Sequence, residues 1–193
     1  MVLVCIRGRA RSHMGHEVSS EAEVRPYIDA IAPNSCIFSH SSREFLASAP
    51  INCCAMHPNQ TMLISGDRNG TINMWDLVSN QCAHAITPEP NNAIASVDVS
   101  RDGAYLAAAT YNGTVYLWDL VGDMQHDPQA VTFFTAHSEY LLSLKFSPSC
   151  SVLLTTSGDN IAKLWSIPDG TYLKSFVGHQ RWVWDSAFTY DSS

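Results

Sequence analysis

The stretch Ile94 to Leu120, IASVDVSRDGAYLAAATYNGTVYLWDL, carries its fold on its face. It opens with apolar residues at alternate positions, Val97 and Val99, as in a strand with one covered face. Ser100-Arg101-Asp102-Gly103 then supplies turn formers, and Tyr105 to Ala109 runs nearly continuously small or apolar, as expected of a strand between two covered faces. Asn112-Gly113 predicts a tight primed hairpin turn, and a last alternating strand, with Val115 and Leu117 on one side, ends in Trp118-Asp119. The same 27-residue unit recurs without a gap at Ile51 to Leu77 and at Leu141 to Ile167, and a further copy starts at Val183. Trp75, Trp118 and Trp165 therefore fall at one place in the unit, in steps of 43 and 47 residues.

Self-similarity at a period of about 40 to 45 residues with a Trp-Asp ending resembles the blades of WD-repeat propellers. In the flanking units the alternating first-strand positions are Cys54 and Met56, and Leu144 and Phe146, both pairs expected to face inward. Ile72 and Met74, and Ala162 and Leu164, oppose their tryptophans across the third strand, and each spacer holds a fourth strand. At this period a seven-bladed ring needs roughly 300 residues. The 193 residues fit an all-β, incomplete ring of about three full blades plus partial ones over 36–193. Open blade edges carry unpaired backbone groups, so weak stability of the isolated chain is expected.

The formal charge is −7, and the eleven Lys and Arg are scattered singly. No basic stripe follows a phosphate backbone, which argues against nucleic acid as a direct partner. Six cysteines form no CxxC pair and read as reduced apolar fillers. MVLVCIRGRARS has too short an apolar run for a secretory signal, its early arginines are followed by Glu17, Glu21 and Glu23, and no stretch has the length of a membrane span. A cytoplasmic location without membrane insertion is the expectation. Residues 1–35 lack alternation and are expected to be a poorly ordered leader. His13, His16 and Glu17 lack the further ligands and rigid frame of a metal site. Cys36 to Phe38 is a short apolar run suited to an outermost strand.

Two spacers end in a small residue and a histidine four positions before the next unit, Ala136-His137 and Gly178-His179. In the propellers that the chain resembles, such a histidine joins a buried hydrogen-bonded set within one blade. Carried over by position, the set is complete in the third unit alone, as His137, Thr155, Asp159 and Trp165, whereas Asn69 and Asn112 stand in the Asp place of the others. A His, an Asp and a hydroxyl do not make a hydrolase triad here, because no G-x-S-x-G elbow exists and a set repeating by blade serves no single pocket. Asp67-Arg68-Asn69-Gly70 departs from a calcium loop, with Gly in the fourth place and Val78 in the twelfth. No catalytic, cofactor or metal residues are expected.

Strand-one entrances and second hairpins of a propeller open on one face. The residues there are Pro50, Asn52 and Arg68, then Ala93, Ala95 and Tyr111, then Tyr140 and Leu142, then Trp182 and Trp184. Gln180-Arg181-Trp182-Val183-Trp184-Asp185 places two tryptophans beside an arginine, residue types that dominate protein-binding hot spots. The expected protein-binding face is Asn52, Arg68, Tyr111, Tyr140, Arg181, Trp182 and Trp184.

A narrower likeness rests on Pro50-Ile51-Asn52-Cys53, His57-Pro58-Asn59-Gln60, Gly66-Asp67, Trp75-Asp76-Leu77, Pro88-Glu89-Pro90 and the run His179 to Asp185. These resemble the GβL-type WD-repeat subunits of target-of-rapamycin (TOR) kinase complexes, over about residues 48 to 193. The resemblance implies a non-enzymatic subunit of TOR complexes 1 and 2, docked on an insertion in the C-terminal lobe of the kinase, peripheral to endomembranes through the complex. It also implies that the position of Trp182 meets the kinase. Residues 1–47 do not match the first blades of that family. The alternative expectation is a generic WD adaptor, such as a ubiquitin-ligase substrate receptor.

Overall fold

A computed structural model describes Phe45, residues 47–121, Ala130 and residues 132–189. The expected leader, the His13 to Glu17 stretch and the Cys36 to Phe38 run lie outside the described residues. Among the described residues twelve strands form three antiparallel four-stranded sheets, each a meander in chain order. Blade 1 contains β1 (Ile51–Met56), β2 (Met62–Asp67), β3 (Ile72–Asp76) and β4 (Gln81–Ile86). Blade 2 contains β5 (Ile94–Val99), β6 (Tyr105–Thr110), β7 (Thr114–Asp119) and β8 (Thr132–Thr135). Blade 3 contains β9 (Leu141–Phe146), β10 (Val152–Ser157), β11 (Ile161–Ser166) and β12 (Tyr172–Val177).

Period-two patterning decides which face meets which neighbour. Ile64, Ile72, Met74 and Ile86 of blade 1 close on Val97, Val99, Leu106 and Trp118 of blade 2. Ala107, Val115 and Leu117 on the other face of blade 2 close on Leu144, Phe146, Leu153 and Trp165 of blade 3. Burial of each large side chain is worth about 1.5–3 kcal/mol, so these two seams are the main source of cohesion. Room in the first seam depends on Gly66. A Cβ there would lie 2.4 Å from Ile94 Cγ2 and 2.8 Å from Cys53 Sγ, so only glycine allows the blades this approach.

Three expectations are corrected. Cys54 and Met56 do not face inward: both are exposed, whereas Val97 and Leu144 at the place of Cys54 are buried by the blade before them. The inward side of β1 is instead that of Cys53 and Ala55, which pack on the first seam. The second hairpins are not primed turns, which need positive φ at the first central residue (II′) or at both (I′). Positive φ occurs once in each, at Gly70 (90°), Gly113 (91°) and Asn160 (68°). The Gly70 N–H donates to Asp67 O at 3.4 Å and the Gly113 N–H to Thr110 O at 3.1 Å, a four-residue turn that closes on a left-handed residue. Finally, the copy beginning at Val183 forms no strand over residues 183–189. Val183 is buried, and Ser143 Oγ of β9 donates to Asp185 Oδ1 at 2.7 Å, so the run lies against blade 3.

Candidate protein-binding face

One backbone bond repeats at the mouth of every blade. The Arg68 N–H donates to Pro50 O (2.9 Å), Tyr111 N–H to Ala93 O (3.0 Å), and Gly158 N–H to Tyr140 O (2.9 Å). Each of these bonds ties the shoulder of a second hairpin to the residue entering a first strand, so side chains from both gather on one rim. Past blade 3 the donor is on the other side, with Val183 N–H donating to Ser157 O at the end of β10 at 3.1 Å.

On that rim four aromatic rings make an unbroken chain. Tyr111 meets Tyr140 edge-on at 6.1 Å between centroids, Tyr140 meets Trp182 at 6.2 Å, and Trp182 meets Trp184 at 5.5 Å. Such separations suit tilted and edge-to-face pairing. The rings remain open to solvent, at 39% for Tyr111, 52% for Tyr140, 47% for Trp182 and 67% for Trp184. Trp182 packs directly over Gly158, which stands where the other blades carry Arg68 and Tyr111. A Cβ on Gly158 would stand 3.4 Å from the indole. Arg181 joins Trp182 and Trp184 in lining a recess with Gly158, Asn160 and Gln180.

Asn52 and Arg68, also expected at this face, lie on the rim but outside the aromatic chain. Asn52 donates through Nδ2 to Ile94 O at 2.9 Å, so its amide ties β1 to β5. Arg68 is exposed at the mouth of blade 1, outside the aromatic chain.

Behind the rim, His137, Thr155, Asp159 and Trp165 are joined in series. Trp165 Nε1–H donates to Thr155 Oγ1 at 2.9 Å, and Thr155 Oγ1 lies 2.9 Å from His137 Nε2. His137 Nδ1 lies 2.7 Å from Asp159 Oδ2. Desolvation holds the His137 imidazole below its ordinary pKa despite the neighbouring carboxylate. The neutral ring then donates Nδ1–H to Asp159 and accepts the Thr155 hydroxyl proton at Nε2. His137 is 2% exposed and Thr155 fully buried, so no substrate reaches the pair and the set works as a blade fastener. Blade 1 has a single link, Trp75 Nε1–H to Ser65 Oγ at 2.8 Å, and blade 2 has Ala108 in the hydroxyl place.

Blade 2 has a substitute that the sequence reading missed. Glu89 Oε2 accepts from Asn92 Nδ2 (2.9 Å), Asn112 Nδ2 (3.0 Å) and Tyr116 Oη (3.3 Å). Asn112, which stands in the Asp place, also accepts from Thr110 Oγ1 at 2.7 Å. The signal was the empty histidine position beside a carboxylate in Pro88-Glu89-Pro90. Gly70 sits beneath this linker, where a Cβ would meet the Glu89 and Asn92 carbonyl oxygens, and Asn91 N–H donates to Asn69 O at 2.9 Å. Among the described residues no group of three or more His, Cys, Asp or Glu is placed to hold a metal ion. No helix among them is long and apolar enough to cross a membrane.

Three stacked antiparallel blades, each with its tryptophan at one register position and its hairpins on one rim, define a WD-repeat propeller architecture. The chain belongs to the WD domain, G-beta repeat family, whose pattern matches residues 34–76, 80–119 and 128–166. Among individual proteins, it is 39% identical over 153 residues to the Protein LST8 homolog of Drosophila melanogaster, covering 77% of this chain and 48% of that protein. It is 44% identical over 144 residues to the Target of rapamycin complex subunit LST8 of Saccharomyces cerevisiae, covering 72% and 46%. The chain thus spans about half the length of the curated relatives it matches. In fold it resembles the crystal structure of RRP9 WD40 repeats, with a TM-score of 0.65, 23% identity, and coverage of 72% of this chain and 42% of that one.

Proposed function

We propose that this chain acts as a non-catalytic scaffold subunit of TOR kinase complexes 1 and 2. In this reading it docks through its aromatic rim on the insertion in the C-terminal lobe of the kinase and stabilises the catalytic domain in nutrient and growth signalling. Its place is cytoplasmic, peripheral to endomembranes through the complex. The observation that carries the reading is the chain of four exposed rings from Tyr111 to Trp184 on one face. Rigid aromatic groups contribute large contact area at low entropic cost, and exposed apolar patches of this kind mark binding sites. Similarity to a protein named a TOR complex subunit supplies the partner.

Capture of the kinase C-terminal lobe by the wild-type chain and by Trp182→Ala and Trp184→Ala variants tests it. Loss of a hot-spot ring costs about 2 kcal/mol or more, which is about thirtyfold in affinity. Both rings are exposed, so circular dichroism and the unfolding midpoint should stay unchanged. Undiminished capture by both variants overturns the reading.

A further inference from the structure

The recess beside Trp182 and Trp184 has a chemical bias as well as an apolar wall. Its lining is Gly158, Asn160, Gln180, Arg181 and the two indoles, and Arg181 is its sole charge. Arg181 is exposed, and no carboxylate of the described residues lies within ion-pairing distance of it. Asp185 is turned elsewhere, accepting from Ser143 Oγ (2.7 Å) and Ser186 N–H (2.8 Å). Asp159 is held by His137.

A guanidinium flanked by two large exposed rings cannot be covered by a purely apolar partner without a penalty. Its five donors lose water, and the charge is left without a counterpart. A planar carboxylate matches the guanidinium fork with two parallel bonds, and the amides of Asn160 and Gln180 add neutral donors around it. The chain as a whole carries a formal charge of −7, which repels a broadly acidic partner. From these observations we infer that the occupant of this recess is a partner loop presenting a single Asp or Glu carboxylate to Arg181. Apolar neighbours of that residue cover Trp182 and Trp184. The inference deepens the proposed function and rests on its reading of this rim as the docking face.

The test uses the full chain labelled with 15N, following the indole resonances of its five tryptophans, of which Trp182 and Trp184 are rim groups. Three capped tripeptides serve as probes: acetyl-Leu-Glu-Leu-amide and its Gln and Lys counterparts. The Glu peptide is expected to move the Trp182 and Trp184 signals saturably in the millimolar range, leaving Trp75, Trp118 and Trp165 in place. Charge-assisted bonding predicts affinity weaker by about tenfold for the Gln peptide, or for the Glu peptide with the Arg181→Gln variant. Equal responses to the three peptides, an unaltered response in Arg181→Gln, or no response up to millimolar peptide overturns the inference. So does concentration-dependent self-association that buries the two indoles. Kinase capture separates the two readings: loss in Trp182→Ala with full retention in Arg181→Gln sinks the carboxylate inference alone. Retention in both sinks the docking reading, and the peptide titration still decides the chemistry of the recess.

Discussion

Replacement of Thr155 by Val tests whether the buried polar chain fastens blade 3. The hydroxyl receives Trp165 Nε1–H and bonds His137 Nε2, both at 2.9 Å, and the site is fully buried. Valine keeps the shape and removes both links, leaving a buried indole N–H and a buried imidazole nitrogen unpaired. Each orphaned group costs about 1–3 kcal/mol, so the expected loss is about 2–6 kcal/mol. With a urea slope of about 2 kcal/mol/M the unfolding midpoint drops by about 1–3 M. Thr155→Ser keeps the hydroxyl and should lose only the value of one methyl group, about 1 kcal/mol. A double-mutant cycle with Trp165→Phe should be strongly non-additive, because the second change removes a donor that the first has already orphaned. A midpoint shift for Thr155→Val no larger than that for Thr155→Ser, or strict additivity in the cycle, refutes the argument.

Other outcomes follow from the same structure. His137 has a folded-state pKa below its ordinary value of 6.5, so the unfolded chain binds the extra proton first. Stability should hold above about pH 6.5 and fall as the pH drops below it, and urea midpoints of His137→Asn should show a flatter profile in that range. Burial raises the Asp98 carboxyl above its ordinary 3.8, the opposite case. Asp98→Asn, which keeps an acceptor for Phe146 N–H, should raise the midpoint at neutral pH, with the gain disappearing near pH 4. Gly113→Ala should cost about 1–3 kcal/mol by the same assay, because its φ of 91° disfavours a side chain and a Cβ would press on the His137 carbonyl. Alkylation at mildly basic pH should label exposed Cys54 well before Cys53, whose thiol is pushed up to about 12 by burial; peptide mass mapping reads the order.

The blade was legible because its signals are local and repeated. Strand periodicity, turn residues and the Trp register coincide in three units, and β3, β7 and β11 sort their faces as alternation requires. The histidine chain was legible through family likeness at four fixed positions. What escaped is relational. Cys54 and Met56 read like Val97 and Val99, yet burial of an alternating face depends on what stands opposite, and no local pattern contains that. The hairpins were misread because Asn-Gly suits either a primed turn or a four-residue turn, and bulge geometry selects the second. Glu89 escaped because two of its three donors, Asn112 and Tyr116, belong to blade 2 and reach it only when the linker folds against the β6–β7 hairpin. Asn52 was placed on the right rim, but its amide is occupied by the backbone of β5.

The linkers have one further consequence. On leaving an outer strand the chain is clamped to a hairpin, at Asn91 by Asn69 O and at Ala136 and His137 by Gly113 O. Ahead of an outer strand the chain is tied to the first hairpin, by Leu77 N–H to Thr61 O and by Leu120 N–H to Ala104 O, and beyond those ties the two spacers differ in length, with residues 78–80 before β4 against 121–131 before β8. Length can therefore change ahead of an outer strand without disturbing blade register. A reporter or affinity tag inserted within 122–129 should be tolerated, whereas one inserted within 87–92 or 136–140 should unseat the following blade.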